Sequence, residues 1–191
     1  RMIARGFDRA LTASGCARVD VGIGASGQLE AARWETWRAV TPAPTPGVST
    51  VRSEHKRVRV MLREILAPVP DEFDVAVIEG PAPRATFSGK ADERAWLRGL
   101  LVDQLLPRGE VVLADPQTRA VLAWGRGMPR RKKGQSSNAA KLPVLEAVRA
   151  AVPDAHVPDH NVADAVALAR AGAHWLGATV DGLAEAEAAS L

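Results

Sequence analysis

The chain has 191 residues, with 25 Lys or Arg against 22 Asp or Glu, a formal charge of +3, and a single cysteine. This length fits one domain with a sizeable core; no apolar run approaches the length that crosses a bilayer, and the first residues lack the charged-then-apolar layout of a secretory leader. The lone Cys16 excludes an internal disulfide and any zinc site built from several thiolates, so the expectation is a cytoplasmic protein with no membrane partner.

Residues Met2 to Phe7, Cys16 to Gly22 and Glu30 to Val40 read as three strands, and the link Gly22 to Gln28 is rich in turn formers. Links this short favour antiparallel neighbours. The run Thr41 to Gly47 holds three prolines and cannot be regular structure. From Val51 to Leu66 the spacing predicts an amphipathic helix, with Val51, His55, Val58, Leu62 and Ile65 or Leu66 on one stripe and Arg52, Lys56, Arg59 and Arg63 on another.

Strand and helix then alternate. Phe73 to Ile78 reads as a strand, Ser88 to Leu106 as a helix with Trp96, Leu100 and Leu101 inward, Val111 to Ala114 as a strand, and Pro116 to Trp124 as a helix opened by proline. After a loop from Gly125 to Ser137 come helices at Asn138 to Val152 and Asn161 to Leu176, then an Ala-rich helical tail. Alternation with short apolar strands implies parallel neighbours reached by crossovers. The expected fold is α/β: a five-stranded mixed sheet, an antiparallel meander of three strands plus two parallel strands, flanked by helices. Residues 1–176 form the domain and 177–191 the tail.

Three acids stand in apolar settings. Asp8 follows the strand Met2 to Phe7, Glu79 follows Val75 to Ile78, and Asp164 lies within Val162 to Ala169. A carboxylate among apolar residues is costly unless paired or ligated, so the three are candidates to converge on one divalent cation. Charge is unevenly spread as well: between Pro116 and Leu145 lie Arg119, Arg126, Arg130, Arg131, Lys132, Lys133 and Lys141, and no acid. The loop around Arg130 to Lys133 is glycine-flanked and lacks interleaved aromatics, a composition suited to following a phosphate backbone and not to base stacking. His55 and His174 fall on helical faces and read as structural, and the five tryptophans as core or dimer packing.

The ordered set Asp8-Arg9-Ala10-Leu11-Thr12-Ala13-Ser14-Gly15, Val77-Ile78-Glu79-Gly80, Arg98-Gly99, Asp115-Pro116, Lys141-Leu142-Pro143-Val144 with Val148, and Asp164-Ala165-Val166-Ala167-Leu168-Ala169 resembles RuvC-type Holliday-junction resolvases, from about Met2 to about Leu176. The resemblance implies a ribonuclease-H-like fold, a homodimer, and cutting of branched four-way DNA junctions by two symmetric nicks with magnesium, two Mg2+ ions per site with Mn2+ as substitute. It makes Asp8, Glu79 and Asp164 metal ligands and Lys141 a phosphate contact beside the loop residues Arg126, Arg130, Arg131, Lys132 and Lys133. The fourth ligand departs from the family pattern: its place is Asn161, preceded by His160 and Asp159. An Asn carbonyl can ligate magnesium without adding charge, and His160 at this turn can instead move a proton. Asn161 is expected to fill the position with His160 or Asp159 assisting. Two further departures are Ala10, where the family often has glycine, and Ala82, where many members carry an aromatic; Phe87 is the nearest one. A broader flap or fork nuclease and a non-cleaving junction-binding module are the alternatives.

Overall fold

The computed structural model describes residues 1–42, 50–69, 72–81, 91–124, 127 and 133–178, with backbone alone for Ala32, Ser137 and Asn138. Its strands are β1 (Met2–Asp8), β2 (Ala13–Ile23), β3 (Leu29–Val40), β4 (Val75–Glu79) and β5 (Glu110–Ala114), and its helices α1 (Val51–Leu66), α2 (Ala91–Leu105), α3 (Pro116–Trp124), α4 (Ser137–Ala151) and α5 (His160–Trp175). They build one sheet in the order β3-β2-β1-β4-β5. The β1–β2 and β2–β3 pairs are antiparallel, β1–β4 and β4–β5 parallel. This is the expected mixed sheet. Most of the Ala-rich tail, residues 179–191, lies outside the described residues.

Alternation along the strands divides the core into two layers. Ala4, Val75, Val77, Ala17, Val19 and Val21 face α5, behind which α3 and α4 pack. Phe7, Cys16, Ala76 and Ile78 face α1 and α2. Helix α5 is buried on every side from Val162 to Ala173, as a helix apolar all round must be. Its backbone lies directly on the sheet at two glycines: a Cβ on Gly6 would stand 2.0 Å from the Ala165 carbonyl oxygen, and one on Gly15 would stand 1.9 Å from that of Asn161.

The helical stripes differ from the sequence reading by a small rotation. In α1 the buried face is Val58, Met61, Leu62 and Ile65, while Val51 is 79% exposed. In α2 it is Glu93, Leu97, Leu101 and Leu105, at steps of four. Trp96 is therefore turned to the rim, 36% exposed, where its ring lies 5.1 Å from that of His55 and joins the two helices at their outer edge. Trp37 is a packing residue as expected, edge-on to Phe7 at 6.3 Å, but Trp175 is 55% exposed. The apolar layer beneath α1 and α2 also holds Arg5. Its buried guanidinium has no hydrogen-bond partner among the described residues, lies 5.9 Å over the Trp37 ring, and is pushed down to about 10 by burial and by Arg18.

Candidate active site

The parallel pairing of β1 with β4 brings two of the acids together. Phe7 and Ile78 are the last partners in that register, so Asp8 and Glu79 leave the sheet side by side at the ends of their strands. Both share the parity of residues that face α5: Ala4 and Gly6 on β1, Val75 and Val77 on β4. Asp164 comes from α5 and lies between the two points at which that helix touches the sheet, Asn161 over Gly15 and Ala165 over Gly6. Three acids distant in sequence thus meet at one end of the sheet, with Asp8 and Asp164 buried. The β1–β2 hairpin is braced by the Ser14 hydroxyl, which accepts from the Ala10 N–H (3.0 Å) and donates to the Ala10 carbonyl (2.8 Å).

A cation already stands among them. Helix α3 begins directly after β5, where the Asp115 carboxylate accepts from the backbone N–H groups of Gln117 (2.7 Å) and Thr118 (3.0 Å) and from the Thr118 hydroxyl (3.0 Å), as an N-cap does. These bonds hold the Asp115 carboxyl below the usual carboxylate range. They also fix the rotation of α3, which turns Arg119 inward. One guanidinium nitrogen, Nη1, lies 2.7 Å from Glu79 Oε1, 2.9 Å from Asp164 Oδ2 and 3.8 Å from Asp8 Oδ1, and the residue is only 4% exposed. Lys141 Nζ approaches Asp164 Oδ2 at 3.5 Å from the partly open side.

The charges perturb one another strongly. Burial, then the carboxylates of Glu79 and Asp164, hold the Asp8 carboxyl well above its ordinary range. Burial also raises Asp164, against the opposing pull of Arg119 and Lys141. Burial disfavours the charged form of Arg119, but Asp164, Glu79 and Asp8 together outweigh it, and the guanidinium is stabilised in the charged state. His160 is lowered by burial and by Lys141, so its imidazole is neutral near pH 7 and able to accept a proton.

As these side chains stand, no three His, Cys, Asp or Glu donors among the described residues converge as a metal cage; the Arg119 guanidinium stands between the acids. The donor set nevertheless fits a hard divalent cation: its ligands are carboxylate oxygens on three separate elements, and they already surround a positive charge. Such an ion would be held by Asp8, Glu79 and Asp164 once Arg119 had moved, with Asp8, the most distant of the three from the guanidinium nitrogen, having the furthest to close.

Around this centre the other predicted residues sort themselves. Asp159 caps α5, accepting from the N–H groups of Asn161 and Val162, both at 3.0 Å, and pairs with Arg38 at 3.2 Å. Asn161 donates from Nδ2 to the Ala13 carbonyl at 2.9 Å, which ties the start of α5 to β2. It is His160 that lies in the combined field of Lys141, Asp164, Asp159 and Arg119. Of the basic loop, Lys133 is exposed, and Arg126, Arg130, Arg131 and Lys132 lie outside the described residues, as do Ala82 and Phe87. Two residues of the site escaped sequence reasoning. Arg119, in sequence only one member of the basic segment from Pro116 to Leu145, is inside the acid cluster. Arg9 grips the neighbouring backbone, donating to the carbonyls of Glu79 (2.7 Å), Gly80 (2.9 Å) and Arg94 (3.2 Å). The only sequence signal for either was an arginine directly after, or one helical turn after, a strand end.

No protein-family model matches the chain, and no curated protein matches it. Solved structures do. RuvC of Thermus thermophilus is similar at 20% identity and a TM-score of 0.56, over 92% of this chain and 97% of that one. The T. thermophilus RuvC in complex with a Holliday junction substrate is similar at 18% identity and a TM-score of 0.52, over 88% and 90%. A Fowlpox virus resolvase, in complex with its substrate Holliday junction DNA, matches at 13% identity and a TM-score of 0.46, over 92% and 99%. The chain has the ribonuclease-H-like fold of RuvC.

Proposed function

We propose that this chain is a metal-dependent, structure-selective DNA endonuclease that resolves Holliday junctions by paired nicks, working in the cytoplasm as a homodimer with two Mg2+ ions per site, for which Mn2+ substitutes. The observation that carries the reading is the meeting of Asp8, Glu79 and Asp164 around one buried positive charge on a RuvC-like fold. The described residues of the chain hold one such cluster, so two symmetric nicks call for two copies. No helix among the described residues is long and apolar enough to cross a membrane.

In this reading Asp8, Glu79 and Asp164 hold the metal, which when bound makes water more acidic and stabilises the leaving oxygen of a phosphodiester. The residues around it divide the remaining work. His160, neutral and beside Asp164, takes a proton from the attacking water. Lys141 holds a phosphate oxygen at the partly open side, and Arg126, Arg130, Arg131, Lys132 and Lys133 follow the backbone of an arm. Asn161 supports the site by anchoring α5, and Arg9 by holding the carbonyls that follow β4. A second reading, a junction-binding module that does not cut, is favoured by one observation: Arg119 fills the centre of the acids. A labelled four-way junction incubated with Mg2+, with chelator, or with the Asp8→Asn chain separates the two, with flap and fork substrates alongside. Nicked duplex products from the unmodified chain in Mg2+ alone are expected. Binding without cutting would refute the nuclease reading.

A further inference from the structure

We propose that Arg119 is a resident counter-cation that competes with the metal: its guanidinium holds the acids together in the metal-free protein and must leave for metal to enter. The inference rests on the nuclease reading and adds to it a built-in threshold for metal loading.

The geometry carries the argument. A single nitrogen of Arg119 is within 4.0 Å of an oxygen from each of Asp8, Glu79 and Asp164, the one point that all three acids address. A divalent ion held by the same oxygens would share that space, and its charge would repel the guanidinium at contact distance. The two occupants are therefore exclusive. Without either, two buried acids and the partly buried Glu79 would face one another with, among the described residues, only Lys141 beside Asp164 and the more distant field of Arg9 on Asp8 and Glu79 to offset them. Helix α3 cannot easily retreat as a body, since it follows β5 directly and packs against α5 with Ala120, Leu122 and Ala123 buried. The exchange is thus a swing of the long arginine side chain, not a movement of the helix. Binding that must wait for a minor conformer is weakened by the fraction of that conformer. A guanidinium displaced in roughly 1–10% of molecules would weaken metal binding about 10- to 100-fold.

The test uses the full chain, with Mn2+ and Mg2+ titrated by calorimetry and melting followed in chelator. Arg119→Gln is expected to bind either ion about 10- to 100-fold more tightly than the unmodified chain, to melt lower in chelator, and to gain more on metal addition. Arg119→Lys, which keeps a charge without the planar fork, is expected to fold without metal and to tighten binding by a smaller factor, and it carries the test if the glutamine variant does not fold. Equal or weaker metal binding by both variants, with binding still lost in Asp8→Asn, would overturn the counter-cation role and leave the nuclease reading intact. Metal binding that is insensitive to Asp8→Asn in every chain would overturn both.

Discussion

Replacing Asp8 by Asn should abolish cutting and yet make the metal-free protein more stable. Asp8 is buried and faces the carboxylates of Glu79 and Asp164, while the guanidinium paired with it, that of Arg119, is 3.8 Å away and engaged more closely by the other two acids. Its carboxyl is consequently raised well above the ordinary value of 3.8. A raised carboxyl binds its proton more tightly in the folded chain than in the unfolded one. Stability is then complete below the ordinary value and falls as pH rises towards the folded value. The loss is at most about 1.4 kcal/mol for each pH unit in that window, which bounds it near 4 kcal/mol at pH 7. Asparagine, close in shape and uncharged, removes this loss. We therefore expect Asp8→Asn to melt higher at pH 7, by no more than roughly 15 °C for a chain of this size, with the gain shrinking to nothing near pH 4. Melting of both chains in chelator at the two pH values provides the measurement. An Asp8→Asn chain that melts no higher than the unmodified one at pH 7, or gains equally at pH 4, would refute the reasoning.

Other outcomes follow from the same architecture. Gly6→Ala places a methyl 2.0 Å from the Ala165 carbonyl oxygen; a loss of about 1–3 kcal/mol or more is expected in denaturant melts, with weakened metal binding because α5 carries Asp164 away. Asn161→Ala removes the bond to Ala13, and should cost about 0.5–1.5 kcal/mol while leaving calorimetric metal affinity within about threefold, whereas His160→Gln should slow cutting about 100-fold or more at unchanged junction affinity. Changing Arg130, Arg131, Lys132 and Lys133 to Ser should flatten the dependence of log affinity on log salt by about 3.6, measured by junction binding at several salt concentrations.

The sheet was legible because its evidence is local: short turn-rich links between the first three strands, then apolar strands alternating with helices. The acids were legible for a related reason, a charge set against an apolar run being conspicuous in one dimension. Arg119 was not, because its direction depends on how α3 is rotated after β5, and the Asp115 cap that sets the rotation does not mark which side chain it turns inward. An arginine within a basic segment reads as surface. Trp96 failed in the same way, its stripe displaced by one position in a helix whose buried face follows Leu97 and Leu101. Arg5 is hidden by its strand, where a long cation among apolar neighbours gives no sign that it lies over the Trp37 ring.

The register of β1 against β4 has a consequence for how such a chain can vary in length. Asp8 and Glu79 are each one position beyond the paired residues Phe7 and Ile78, so the strands act as rulers that count their acids to the same level. A single residue inserted or deleted within either strand would turn its acid to the opposite face of the sheet, towards α1 and α2, away from Asp164. The turn from Gly24 to Gln28 is at the other end of β2 and bears no such count. Length changes should therefore be tolerated there and rejected in the strands, a pattern that insertion scanning would read directly.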